Sequence, residues 1–293
     1  RLSTGSTIIG GLQTRQEILI WTDVGIVSMR FVGAPFVFSF NEVATGMSLI
    51  SPNGAATAGG TVYFMDDGAF YQYSGSVQRL PCTVLDHVFN DFNKSQAYKV
   101  FAAANPKYNE VMWFYPSESS EEINRYVIYN YLEQSWSIGT TSDNFVRTAW
   151  NPAYTLDYPL AASKDDDSGS NYLYDQEFGY LADGNGFTAF IESSDFDLDP
   201  DGENFMFISK LIPDIQFRKS TDTGDTVNVV IKGREYPLQD LSTLSTVAVT
   251  PNSTFTNTRS RSRQSAIRVE NSSGNFGWRL GDLRLELRRD GKR

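Results

Sequence analysis

The sequence predicts an all-β chain in which β-propeller-like repeated antiparallel blades are followed by a β-sandwich-like C-terminal region. Three observations lead there. Aromatics make up 14% of 293 residues, led by 20 Phe and 15 Tyr, beside 23 Gly; rings and branched side chains fit a pleated surface, and glycine serves its tight turns. Short apolar runs are punctuated by an acid and a glycine, as in "EILIWTDVGIVSM" (17–29) and "TVYFMDDGAFYQY" (61–73). The acids of those two runs, Asp23 and Asp66, stand 43 residues apart, within the ~40–50 residues of a propeller blade. The expected division is a propeller-like region over 1–184 and a β-rich region over 185–293.

In chain order, each repeat reads as a strand, an acid, a glycine and a returning strand. Asp23 and Asp66 align, with Gly25 and Gly68 two residues on, which predicts two hairpins with glycine-dependent turns. "NYLYDQEFGYL" (171–181) reads as a third, weaker copy. A further unit is expected at "NEVMWFYPS" (109–117) followed by "RYVIYNYLEQSWSIG" (125–139), with a turn at Glu133 and Gln134 before Trp136. Pro35 and Pro81 mark exits from the repeats. About four such units fit before residue 184, fewer than a closed ring usually holds, so blades precede Arg1 or later strands complete the ring.

One helix is predicted over 83–93, "TVLDHVFNDFN", where Val84, Val88 and Phe92 form a stripe joined by Leu85 and Phe89. After the acidic linker at 163–171 and "ADGNG" at 182–186, strands are expected at 187–196, 204–218, 226–232, 265–270 and 277–288. No stretch approaches the ~20 apolar residues of a membrane span, so none is expected.

Several chemistries are excluded or disfavoured. "SDFDLDPDGENF" (194–205) imitates a calcium loop, but position twelve counted from Asp197 is Ile208 rather than a bidentate Glu, and the flanks read as strands. These carboxylates read instead as a solvated hairpin tip, and no metal is assigned. His87 is the only histidine and Cys82 the only cysteine, which leaves no two-histidine metal site and no disulfide framework. Phosphate-loop and nucleophile-elbow motifs are missing from the sequence. Glycoside hydrolysis needs only two carboxylates, for which Asp23, Asp66, Asp67, Glu110 and Asp175 are candidates, yet turn chemistry alone selects Asp at hairpin tips. No catalytic residue and no cofactor is assigned.

The net charge of −10 conceals a division. Residues 259–293 carry ten Lys or Arg against four acids, whereas Asp165 to Glu203 holds twelve carboxylates and no basic residue. Such asymmetry predicts different neighbours for the two regions. In "RSRSRQSAIRVE", Arg259, Arg261 and Arg263 alternate, so a strand would aim all three at one face. They could meet phosphate, or acids of their own or an adjacent subunit; without interleaved aromatics the nucleic-acid signal is weak.

"ILIWTDVGIVSMRFVGAPFVFSF", "MSLISPNGAATAGGTVYFMDDGAFYQYSGSVQRLPCTV", "NEVMWFYPS", "RYVIYNYLEQSWSIGT", "ESSDFDL" and "RQSAIRVENSSGNFGWRLGDLRLELRRDGKR", taken as an ordered series, resemble structural tail proteins of tailed bacteriophages. The group includes the tail nozzle and packaged-DNA stabilisation proteins of short-tailed phages. The resemblance implies a virion structural protein rather than an enzyme, assembled in the host cytoplasm and placed in the virion tail. It implies a homo-oligomeric ring, a hexamer in the better-known relatives, bound to the portal adaptor and to tail fibres or other tail parts. Such a ring extends the exit channel, retains the genome, and lets DNA pass without sequence-specific binding.

A DNA conduit must not hold phosphates tightly, because every contact adds affinity through released counterions. Asp165, Asp166, Asp167, Asp195, Asp197, Asp199, Asp201 and Glu203 are therefore expected at a lumen or its rim, and Arg259, Arg261, Arg263, Arg288 and Arg289 at contacts between subunits. The competing readings are a receptor- or carbohydrate-binding propeller, with Trp113, Trp136 or Trp150 in a concave site, and, behind it, a glycosidase.

Overall fold

A computed structural model describes residues 5–141, 146–153, 156–163, 171–182, 184–199, 202–218, 225–271 and 275–292. The chain forms two compact units, Arg1–Phe178 and Gly179–Arg293, a boundary six residues before the expected one. The fold is nearly all β and propeller-like in its first unit. No helix among the described residues is long and apolar enough to cross a membrane.

The first unit is a row of antiparallel meanders. Blade 1 comprises β1 (Ile8–Gln13), β2 (Ile18–Thr22), β3 (Gly25–Phe31) and β4 (Phe38–Thr45); blade 2 comprises β5 (Ala55–Ala58), β6 (Thr61–Asp66), β7 (Ala69–Tyr73) and β8 (Val77–Arg79). After helix α1 (Leu85–Asn90) and a 3-10 helix (Lys94–Lys99) comes blade 3, with β9 (Phe101–Asn105), β10 (Glu110–Tyr115), β11 (Arg125–Asn130) and β12 (Ser135–Thr140). Blade 4 has three strands, β13 (Arg147–Asn151), β14 (Leu160–Ser163) and β15 (Leu173–Asp175).

Period-two alternation explains how the blades stack, since successive strand residues point to opposite faces. In β6, Val62 and Phe64 join Leu19, Trp21 and Ile26 of blade 1, whereas Tyr63 and Met65 join Val111, Trp113 and Val127 of blade 3. In β10, Val111, Trp113 and Tyr115 face blade 2, while Met112 and Phe114 pack with Val146 and Trp150 at blade 4. Both faces of blades 2 and 3 are therefore buried, which is why "TVYFMD" and "EVMWFY" read as unbroken apolar runs.

Three expectations need correction. The helix over 83–93 shrinks to Leu85–Asn90, because Asn93 leaves it to cap the 3-10 helix, accepting a hydrogen bond from Ser95 N at 3.1 Å. Its stripe does pack inward, with Val88 and Phe92 buried. "NYLYDQEFGYL" is not a hairpin: β15 pairs with β14, and the chain then turns at Glu177 with φ +60°. Gly68 does serve a turn, at φ +101°, but Gly25 sits in β3, where a Cβ would lie 2.5 Å from the Ala44 carbonyl oxygen.

The second unit contains β16 (Ala189–Glu192), β17 (Phe196–Asp197), β18 (Met206–Ile212), β19 (Ile215–Arg218), β20 (Val227–Arg234), β21 (Ser242–Val249), β22 (Thr256–Ser262), β23 (Gln264–Asn271), β24 (Gly277–Leu280) and β25 (Arg284–Arg289). One sheet runs β16-β23-β20-β21 with β17 also on β23; a second runs β22-β18-β25; β19 and β24 form a ribbon. Met206, Ile208 and Leu211 of the second sheet pack with Val229, Ile231, Val247 and Val269 of the first, a two-sheet sandwich core.

The expected strands 204–218 and 277–288 each break in two. They break opposite one another: Pro213 carries no N–H for a ladder, and Asp214 accepts from Gly281 N at 2.7 Å through its carbonyl and from Asp282 N at 3.2 Å through its carboxylate. β21 was not among the expected strands, and neither was β22.

Candidate functional site

In the second unit the fold gives most of the sequence-predicted acids and arginines a partner in the same unit. Asp195, beside β17, pairs with Arg234 at the end of β20, which also donates to Gln264 Oε1 at 2.7 Å. Asp197 accepts from Gln264 Nε2 at 3.3 Å. Asp199 accepts from Asn204 Nδ2 at 2.7 Å and from Arg289 of β25; those two bonds hold its carboxyl below the usual range. Glu203 is lowered in the same way by Lys292. Asp165, Asp166, Asp167 and Asp201 lie outside the described residues.

β22 aims its alternating arginines outward while Thr258, Ser260 and Ser262 point inward and are buried. Arg261 donates to Asp290 at 2.6 Å, and its guanidinium stacks 3.9 Å from the Phe205 ring centroid. Arg263, just past β22, lies 4.7 Å from the same ring and donates to the carbonyls of Gly202, Glu203, Glu235 and Lys292. A planar fork with five donors suits that task. Arg288 stacks on Phe207 at 4.6 Å, and Arg259 is exposed.

Among the described members the two sets meet directly in one pair, Arg289 with Asp199; the others take separate partners within the second unit, Arg261 on Asp290, Asp195 on Arg234 and Glu203 on Lys292, while Arg288 rests on a ring. Solvent screens exposed pairs of this kind, so this belt of contacts positions loops more than it stabilises. Beside it a cleft of about 550 Å³ is lined by Arg234, Glu235, Leu238, Gln239 and Arg261. Leu238 at its lip is 99% exposed. Among the described residues no group of three His, Cys, Asp or Glu could hold a metal ion.

Sequence reasoning missed a second cluster on the sandwich. Glu192 accepts from Lys232 at 2.8 Å and from Arg268 at 3.1 Å, and Arg268 also reaches Glu270 at 2.6 Å. The β16-β23-β20 register sets these residues side by side, and the sequence carries no sign of that register.

In the first unit the hairpin acids are engaged in structural contacts, Asp66 within its own turn and Asp23 and Asp67 with other segments. Asp23 accepts from Ser6 Oγ at 2.6 Å and from Ser6 N at 2.8 Å, which lowers its carboxyl. Asp66 accepts from Asp67 N at 2.8 Å, and Asp67 pairs with Lys94 at 2.7 Å. Asp175 ends β15, exposed. Glu110 differs. It starts β10 directly across from Asn105, on the face turned to blade 4, and burial together with the nearby Glu177 pushes its carboxyl up to about 7.

Burial also raises Glu177, which accepts from Asn105 Nδ2 at 3.3 Å. The sequence hid this partner, because Glu177 comes from blade 4, 67 residues away. A comparable seam joins blades 1 and 2, where Glu17 accepts from Arg30 Nε at 2.7 Å and from the Tyr73 hydroxyl at 2.5 Å. Burial alone would raise Glu17, but those bonds bring it below its ordinary value.

The tryptophans do not assemble a concave aromatic site. Trp113 is fully buried, its Nε1 donating to Gly54 O at 3.1 Å; Trp136 donates to Pro81 O at 2.8 Å; Trp150 packs 6.0 Å from Phe114. His87 is exposed on α1, and burial raises the Cys82 thiol, the opposite of what an activated thiolate requires.

No family model and no curated protein matches the chain. Among solved structures it is similar to an exo-β-1,3-galactanase from Phanerochaete chrysosporium, crystallised with β-1,3-galactotriose. The identity is 10% and the TM-score 0.26, over 92% of this chain and 78% of that one. A likeness at that level carries nothing about activity.

Proposed function

We propose that this chain is a structural subunit of the tail of a short-tailed bacteriophage, one member of a ring that extends the DNA exit channel. The observation that carries the reading is the ordered series of segments resembling tail nozzle proteins. Those segments fall on the elements that build the stacked cores: the first on β2 to β4, the second on blade 2, the next two on β10 to β12, the last on β23 to β25.

The ring retains the packaged genome and anchors the portal adaptor and other tail parts. Genomic DNA passes through it without sequence-specific contacts. The bonding of Arg261, Arg263 and Arg289 to acids and carbonyls suits this role, because arginines so engaged offer phosphates little. The negative field of the channel then falls to the rest of the acidic excess, including Asp165, Asp166 and Asp167.

Light scattering combined with negative-stain imaging tests the reading. The expected result is a closed ring with a central hole, of about six copies, formed alone or on addition of virion neighbours. A chain that stays monomeric with those neighbours present overturns it.

A further inference from the structure

The row of blades in the first unit ends on two largely apolar faces, each with one carboxylate among its apolar residues. The β1–β4 register assigns Leu19, Trp21 and Ile26 to the blade 2 side and Ile18, Ile20, Val27, Met29, Phe31, Phe38 and Phe40 to the opposite side, together with Glu42 across from Val27, which is itself buried. On that opposite face Phe31 is 73% exposed, and Phe38 and Phe40 are 49% exposed. The Phe31 and Phe38 rings meet edge to face at 5.9 Å. The β3–β4 hairpin also overruns β2, whose pairing stops at Met29, so residues 30–39 project as an arm. No charge interrupts positions 31–40.

Blade 4 shows the same arrangement at the other end. Trp150, Ala161 and Tyr174 are aligned across its strands on the side of Trp150, which packs toward blade 3. Ala149, Ala162 and Leu173 are aligned on the far side, with Asn151, Leu160 and Asp175 on the next rung, and Leu173 is 72% exposed. Every other blade face in the row is covered by the apolar face of a neighbouring blade. Exposed apolar patches rimmed by polar residues mark interaction surfaces, and the occupant these two faces fit is another blade.

We infer that the far face of blade 1 docks on the far face of blade 4 of a second copy of this chain, head to tail. The two faces continue, between copies, the packing that already joins blades 1, 2, 3 and 4 within one copy. The large rings of one, Phe31, Phe38 and Phe40, oppose the small and aliphatic residues of the other, Ala149, Ala162, Leu160 and Leu173. Large against small is how facing core layers interdigitate. Two different surfaces make the contact heterologous, so a copy remains open at each end until the rotation closes a ring. This deepens the ring reading and rests on it for closure alone.

The test uses two variants of the full chain, Phe38→Asp on blade 1 and Leu173→Asp on blade 4, weighed by light scattering across a concentration series. Both positions are exposed, and circular dichroism checks the fold. Each variant alone should lose self-association by at least about tenfold in dissociation constant. An equimolar mixture should recover a one-to-one dimer and nothing larger, because one good face of each kind remains. That recovery also shows that both variants are folded.

If Leu173→Asp still self-associates like the parent, the contact is not head to tail and the inference falls. It falls equally if the parent stays monomeric, including the case in which the 31–40 arm binds phospholipid vesicles instead. Rings that survive both substitutions overturn this interface and leave the ring reading standing. Open head-to-tail chains that never close keep the interface and overturn the ring.

Discussion

Glu110 shows how one residue can set a pH dependence. Its folded-state carboxyl titrates at about 7, against an ordinary 4.5, so the folded chain keeps a proton that the unfolded chain has released. The stability tied to that proton is complete below about pH 4.5, falls as the pH climbs toward 7, and levels off above. Glu177 is raised too, by burial, and acts in the same direction. Asp23, Asp199 and Glu203 are lowered and act oppositely, losing their contribution only as the pH falls through and below the ordinary carboxylate range. Glu110→Gln should therefore flatten part of the decline in urea stability between pH 4.5 and 7, and Glu110→Gln with Glu177→Gln should flatten most of it. An unchanged profile in the double variant would mean that the two carboxyls are not desolvated together.

At the level of elements, burial on two faces governs blades 2 and 3. Trp113 lies in the plane where they meet, with Phe70 at 4.8 Å and Trp136 at 6.1 Å, so Trp113→Ala should cost ~3–5 kcal/mol. Gly139 works by a different rule: it stands opposite Tyr126 in the β11–β12 pair, and a Cβ there would run into the phenol ring. Gly139→Ala should displace that ring and destabilise the first unit by ~1–3 kcal/mol, read by urea denaturation, whereas alanine at a roomy strand position would be near neutral.

These details mark how far the sequence could be read. The hairpins at 17–29 and 61–73, and the strands at 109–117 and 125–139, were legible because apolar runs and turn residues are local signals. The hairpin expected at 171–181 failed because Leu173–Asp175 pairs backward with β14 and not forward with residues 178–181. β21, "STLSTVAV", was missed because its serines and threonines resemble a loop until Val229 and Val269 supply a core for Val247 and Val249. The Glu110–Glu177 pair and the Arg263 clamp depend on registers and loop placements that no short stretch encodes.

For the whole molecule, separate cores predict separate thermodynamics. The first unit is built around Trp113 and its neighbours, the second around Ile231, Val229 and Met206. Calorimetry should resolve two transitions, with Trp113→Ala lowering one and Ile231→Ala, at ~2–5 kcal/mol, lowering the other. One transition moved by both substitutions would show a single cooperative body. Four of the five tryptophans, Trp21, Trp113, Trp136 and Trp150, belong to the first unit, and Trp278 alone to the second. The indoles of Trp113 and Trp136 lie nearly parallel, 24° apart, close enough for their electronic transitions to couple. Because those rings come from β10 and β12, on either side of β11 and held against blade 2, their paired optical signal should appear when that seam closes, giving the chain a built-in reporter of its own assembly.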